Sequence, residues 1–73
     1  MKNWKNHIET IPDILKAKPR IKNTRIPVSL VLGYLASDYD FDEIIKEFPA
    51  LSKSDIKSCL SYARDLSEFE ITV

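Results

Sequence analysis

Between Val28 and Leu66 the apolar residues recur at helical spacing, interrupted twice by polar or proline-containing links. Val28, Val31, Leu32 and Leu35 fall at i, i+3, i+4 and i+7, which predicts a helix over 28–37 with one buried face. Pro27 suits its first turn, where a missing N–H leaves no helical bond unmade, and Asp38 ends it. Asp40 followed by Glu43 has the spacing of a capping box, so a second helix should start at Phe41. Phe41, Ile44, Ile45 and Phe48 give it an apolar face, and Pro49 stops it. A third helix should begin after Ser52, with Asp55 favouring the positive end of its dipole. Its expected stripe is Ile56, Cys59, Leu60, Ala63 and Leu66, with Lys53, Ser54, Lys57, Ser58, Ser61 and Arg64 mostly exposed. The final Phe69-Glu70-Ile71-Thr72-Val73 alternates as a strand does.

The first third has a different rhythm. Ile8 and Thr10 alternate with Glu9 and Ile11, Pro12-Asp13 signals a turn, and Pro19-Arg20-Ile21 resumes extended sequence. A two-stranded ribbon built from these pieces would need a surface to pack on. Pro19 and Pro27 keep the intervening segment out of a helix, and an extended run would put Arg20, Lys22 and Thr24 on one face. The fold expected is mainly α: a three-helix domain of helix-turn-helix type behind a short N-terminal β segment.

Size narrows the picture. Seventy-three residues make one domain, residues 1–73, with a basic segment over 1–27, a helical core over 28–66 and a tail over 67–73. A chain this short buries only roughly 60% of its unfolded surface, so support from a second copy or a partner is expected. Cys59 is the single cysteine, which excludes an internal disulfide and fits a reducing compartment. No apolar run approaches the roughly 20 residues of a membrane span, and the first residues do not lead into a signal-peptide core. A cytoplasmic location without membrane contact is the expectation.

A formal net charge of zero conceals an asymmetry. Residues 1–27 carry seven cations against two acids, a balance of +5, and residues 28–73 carry four against nine, a balance of −5. The basic part can approach phosphates and the acidic part a basic protein; equally, the two can screen each other or pair across a dimer.

No catalytic constellation stands out, and the chain is expected not to be an enzyme. His7 is the only histidine, and Cys59 sits on an apolar stripe without a basic neighbour. A metal centre would need a cluster of His or Cys ligands, so no metal and no cofactor are expected. Gly33, the single glycine, falls inside a helical pattern rather than a phosphate-cradling loop. Trp4 could stack on a base, or anchor a small core or a dimer contact.

The second and third helices with their short link have the proportions of a helix-turn-helix. A DNA-reading helix would present Ser52, Lys53, Ser54 and Lys57 to the major groove, although Asp55 on the same turn would repel phosphates. The basic segment adds Arg20, Lys22, Thr24 and Arg25 as candidate phosphate contacts. The alternative for these residues is structural: a solvated helix face, a Thr24 hydrogen bond in the turn, and an Arg25 pair with Asp42 or Glu43.

These residues carry a resemblance. Ile8, Pro12, Ile14 and Leu15, then Lys18, Pro19, Ile21 and the block Thr24-Arg25-Ile26-Pro27-Val28, followed by Phe48, Pro49, Leu51 and Ser52, and Leu60, Tyr62 and Ala63, match domain-of-unknown-function family 433. The match spans about residues 4–64, and its Thr-Arg-Ile-Pro-Val block is specific. The resemblance implies a homeodomain-like domain behind an extended segment and a VapB-like antitoxin role, with a PIN-like ribonuclease toxin and operator DNA as partners. The chain departs from the family's glycines at Ala17, Asn23 and Asp38; Asn and Asp tolerate left-handed backbone, whereas Ala17 is harder to accommodate.

The leading expectation is therefore an antitoxin-like homodimer that neutralises a PIN-like toxin and represses its own operon. A stand-alone helix-turn-helix regulator and a dimeric scaffold that binds no DNA are the alternatives. Trp4, Ile8, Ile11 and Ile14 are the expected dimer contacts. Phe69, Glu70, Ile71 and Val73 are the expected toxin contacts, added as an edge strand.

Overall fold

The computed structural model describes residues 4–10 and 18–69, with side chains described as far as Ser67. A 3-10 turn at Trp4–Asn6 leads into strand β1 (Ile8–Glu9), which pairs with β2 (Arg20–Ile21). Three helices follow: α1 (Val28–Ala36), α2 (Phe41–Glu47) and α3 (Lys53–Phe69). The expected architecture, mainly helical with a short β segment in front, is what the chain forms. None of these helices is long and apolar enough to cross a membrane.

The helix boundaries follow the local chemistry. Pro27 is the N-cap of α1, and its carbonyl accepts from Leu30 N–H at 3.1 Å. Asp38, at φ 70°, turns the chain out of α1. The Asp40–Glu43 capping box of α2 is complete in both directions, with bonds of 2.8 and 2.9 Å. α3 has a second such box: Asp55 N–H donates to Ser52 Oγ at 3.1 Å, and Ser52 N–H donates to Asp55 Oδ2 at 2.9 Å.

Both strands, all three helices and the link before α3 contribute to the core, which holds Ile8, Ile21, Val28, Val31, Ile44, Leu51, Ile56 and Cys59. Ile8 and Ile21 face each other across the antiparallel ribbon and point onto the helices. Two residues per strand could not persist alone, and burial of about 1.5–3 kcal/mol per large aliphatic side chain holds the ribbon down. Tyr34 makes edge-on contacts with Tyr39 (4.8 Å) and Phe48 (5.4 Å), tying the end of α1 to α2.

Three expectations need correction. The buried face of α3 is turned toward Asp55, Ser58, Cys59 and Tyr62: Ser58 is buried, whereas Leu60 and Leu66 are 43% and 49% exposed. The cause is tertiary, because the N-terminal segment docks on this side through Trp4. The indole N–H donates to Asp65 Oδ2 at 2.6 Å, and the ring meets Tyr62 edge-on at 4.7 Å. Leu66 instead borders an open groove of about 330 Å³ with Lys18, Pro19, Val28, Leu32 and Tyr62. Second, Phe69 closes α3 and does not begin a strand, while Glu70, Ile71 and Val73 lie outside the described residues. Third, 20–27 is not one extended run. Asn23 at φ 64° folds it into a turn that brings Pro27 back beside Arg20, so the alternation of faces stops at Ile21.

Candidate nucleic-acid interface

The turn from Ile21 to Ile26 is built by its own residues. Thr24 Oγ1 donates to the Ile21 carbonyl at 2.8 Å and accepts from Ile26 N–H at 3.0 Å. Ile21 N–H closes the turn on Ile26 O at 3.0 Å. Thr24 is thus a structural residue in this chain, with its hydroxyl bonded in both directions. Asn23 occupies the left-handed position with a side chain that tolerates it.

Arg20 does not face solvent as the extended reading required. Its guanidinium donates to Glu9 Oε2 at 2.7 Å and to the Thr24 carbonyl at 2.6 Å, and its side chain is 11% exposed. Nε is buried without a hydrogen-bond partner. Arg20 locks β2 to β1 and to the turn, leaving it no free donor edge for a phosphate. Ile8 and Trp4, expected at a dimer contact, are likewise engaged within the chain: Ile8 is 4% exposed and Trp4 packs on α3. Ile11 and Ile14 lie outside the described residues.

Two candidate groups do come together. Lys22 N–H donates to the His7 carbonyl at 2.8 Å, and His7 Nδ1 donates to Asp55 Oδ1 at 3.0 Å, with the ring proton on Nδ1 as a carboxylate acceptor requires. Asp55 in turn caps the first turn of α3. A continuous hydrogen-bonded path therefore joins the Lys22 turn to the start of α3, where Ser52, Lys53 and Lys57 are exposed and Ser54 is half-buried. The Asp55 side chain is 17% exposed, and its two oxygens face Ser52 N–H and His7. The acid expected to repel phosphate points inward instead.

The neighbouring charges are loosely held. Lys53 Nζ lies 3.8 Å from Asp42 Oδ1 with both side chains mostly exposed, a pairing that a phosphate can displace. Asp42 thus faces Lys53, not Arg25, and the Glu43 carboxylate belongs to its capping box. Among the described residues Arg25 has no ion-pair or hydrogen-bond partner for its side chain and is exposed. Lys22 and Lys57 are free in the same sense. Burial raises the Cys59 thiol to about 12, with the Asp55 charge adding to the effect, so it behaves as a small hydrophobe. Among the described residues no three His, Cys, Asp or Glu side chains converge to hold a metal.

The His7–Asp55 bond was not legible in the sequence, where 48 residues separate the two side chains. Only the docking of the ribbon on α3 brings them together.

A family model with the description "Protein of unknown function (DUF433)" matches residues 8–63. A solved structure, that of a DUF433 member protein from Anabaena variabilis ATCC 29413, superposes with a TM-score of 0.80 at 28% identity. The superposition covers 88% of this chain and 63% of that one, so the chain spans less than two thirds of its neighbour's length. No curated protein matches the chain.

Proposed function

This chain belongs to the DUF433 family, whose function is unknown, and from its surface we propose that it is a non-catalytic DNA-binding protein of the antitoxin type. α3 is the reading helix, entering the major groove with Ser52, Lys53, Ser54 and Lys57 toward the bases, and Lys22 holds a flanking phosphate. The observation that carries this reading is the Lys22–His7–Asp55–Ser52 path. It joins a second cationic segment to the first turn of α3 and at the same time engages both oxygens of the Asp55 carboxylate within the chain. Bonds to phosphate of this kind set affinity and register, and exposed Ser52, Lys53 and Lys57, with half-buried Ser54, reach base edges.

The antitoxin half of the reading rests on the resemblance carried by Thr24-Arg25-Ile26-Pro27-Val28 and on the acidic balance of residues 28–73. That acidic part suits a basic protein partner such as an RNA-binding nuclease surface. The partner is a PIN-like ribonuclease, and repression of the shared operon follows from binding its promoter.

Titration of a fluorescent duplex from the gene's own upstream region, across a salt series, tests the DNA reading. Removing a lysine that neutralises one phosphate should reduce the salt slope by about 1, so Lys53→Ala with Lys57→Ala should flatten it by up to about 2. Arg20→Met should leave the slope unchanged because its guanidinium is bound internally. Absence of wild-type binding at low salt, alone or with the co-expressed toxin, would sink the proposal. The antitoxin half is tested separately, by whether the purified chain inhibits RNA cleavage by a PIN-like protein encoded beside it.

A further inference from the structure

We propose that the outer face of α1 is an interface between two copies of this chain, packed antiparallel about Gly33. The face is an open groove of about 360 Å³ lined by Ser29, Leu30, Gly33, Tyr34, Ser37 and Tyr39. Leu30 and Tyr39 on its rim are each 39% exposed, which leaves two large apolar side chains only partly covered in the single chain.

Gly33 has no role in the isolated fold. Its φ is not positive, and a Cβ added there would meet no heavy atom within 4 Å. Glycine in a helix interior is nonetheless less favourable than alanine by about 1 kcal/mol. A bare backbone in the floor of an apolar groove allows another helix to approach closely.

The charges say which helix. α1 has no acid in its first turn and no base in its last. Arg25, exposed and unpaired among the described residues, lies just before its positive end. Asp38, exposed and with its side chain equally unpaired among the described residues, lies at its negative end in a left-handed conformation. Each end of α1 thus carries a charge of the sign that the helix dipole disfavours. A second α1 running antiparallel reverses both relations. Its negative end and its Asp38 come beside Arg25, and its positive end and its Arg25 come beside Asp38. Antiparallel pairing about Gly33 also sets Ser29 against Ser37 of the second copy, keeping the close approach open on both sides. The interface is isologous, as a twofold dimer requires.

The area sets the strength. A nine-residue helix is about 13.5 Å long, and one face of it falls short of the roughly 800 Å² per partner of a standard stable interface, so micromolar association is expected.

Sedimentation velocity of the full chain from about 1 to 300 µM should show a concentration-dependent monomer–dimer equilibrium. Gly33→Gln should abolish the dimer while the thermal midpoint of the dilute protein holds or rises, because the side chain has open space and a better helix propensity. Arg25→Asp and Asp38→Lys should each weaken self-association about tenfold or more, and an equimolar mixture of the two should associate as a heterodimer. Gly33→Cys provides a route independent of charge reversal, since it should form a cross-linked dimer under oxidising conditions while buried Cys59 stays out of reach. A monomer at the highest concentration, a dimer undiminished by Gly33→Gln, or two charge variants that stay monomeric when mixed would overturn the proposal. Lys53→Ala with Lys57→Ala should dimerise like wild type, so failure of the DNA reading leaves this result readable.

Discussion

Removing Glu9 should destabilise the protein more than removing Arg20, although Arg20 is the larger residue and makes the more extensive set of bonds. Arg20 makes two charge-assisted bonds, at 2.6 and 2.7 Å, while its Nε has no partner. Its side chain is 11% exposed and that of Glu9 is 29% exposed. In Glu9→Ala the guanidinium keeps only the Thr24 carbonyl and cannot be rehydrated without opening the ribbon. Stranding a mostly buried charge costs about 3–5 kcal/mol in a fully buried pair, which the partial exposure here lowers to about 2–3 kcal/mol. In Arg20→Met the volume is nearly kept and the unpaired Nε disappears. Glu9 turns to water, and the main loss is one hydrogen bond to Thr24 O, worth about 1 kcal/mol. Urea unfolding followed by circular dichroism measures both, and with a slope near 1 kcal/mol/M the midpoints should fall by about 2–3 M and about 1 M. The double variant should resemble Arg20→Met, so the coupling equals the whole cost of Glu9→Ala, about 2–3 kcal/mol. An equal or larger loss in Arg20→Met, or losses below about 0.5 kcal/mol in both, would refute the account of Arg20 as an internal tie.

Two further outcomes follow from particular residues. The folded Cys59 thiol is raised from 9.0 to about 12, so its contribution to stability is complete below pH 9 and declines as pH rises from 9.0 toward 12. Chemical denaturation of wild type against Cys59→Ala should show that extra decline only in wild type, and a thiol reagent at pH 8 should react only after unfolding. At Asn23, φ 64°, substitution by Ala should lower stability by about 1 kcal/mol while Gly is near neutral; equal melting points for Ala and Gly would remove the left-handed strain from the explanation.

Sequence alone determined the helical body, the capping box of α2 and the start of α3 at Ser52, because these features are local. Asp40 with Glu43 and Ser52 with Asp55 satisfy backbone donors within one turn, and the i, i+3, i+4 pattern of Val28, Val31 and Leu32 needs no distant partner to be read. The left-handed positions at Asn23 and Asp38 were indicated by the family resemblance, which has glycines there, and not by the local pattern. Tertiary structure decided what each polar side chain does. Arg20 reads as a free cation until Glu9, eleven residues away, takes it. Thr24 was ambiguous between turn and ligand until the chain folded back at Asn23. The rotation of α3 toward Ser58 and Tyr62, away from Leu60, depends on Trp4 reaching Asp65 across 61 residues. Periodicity identifies an apolar face, but the docking of the N-terminal segment selects which part of it is covered. The same docking, through His7, turns Asp55 inward and leaves Lys53 and Lys57 on the surface.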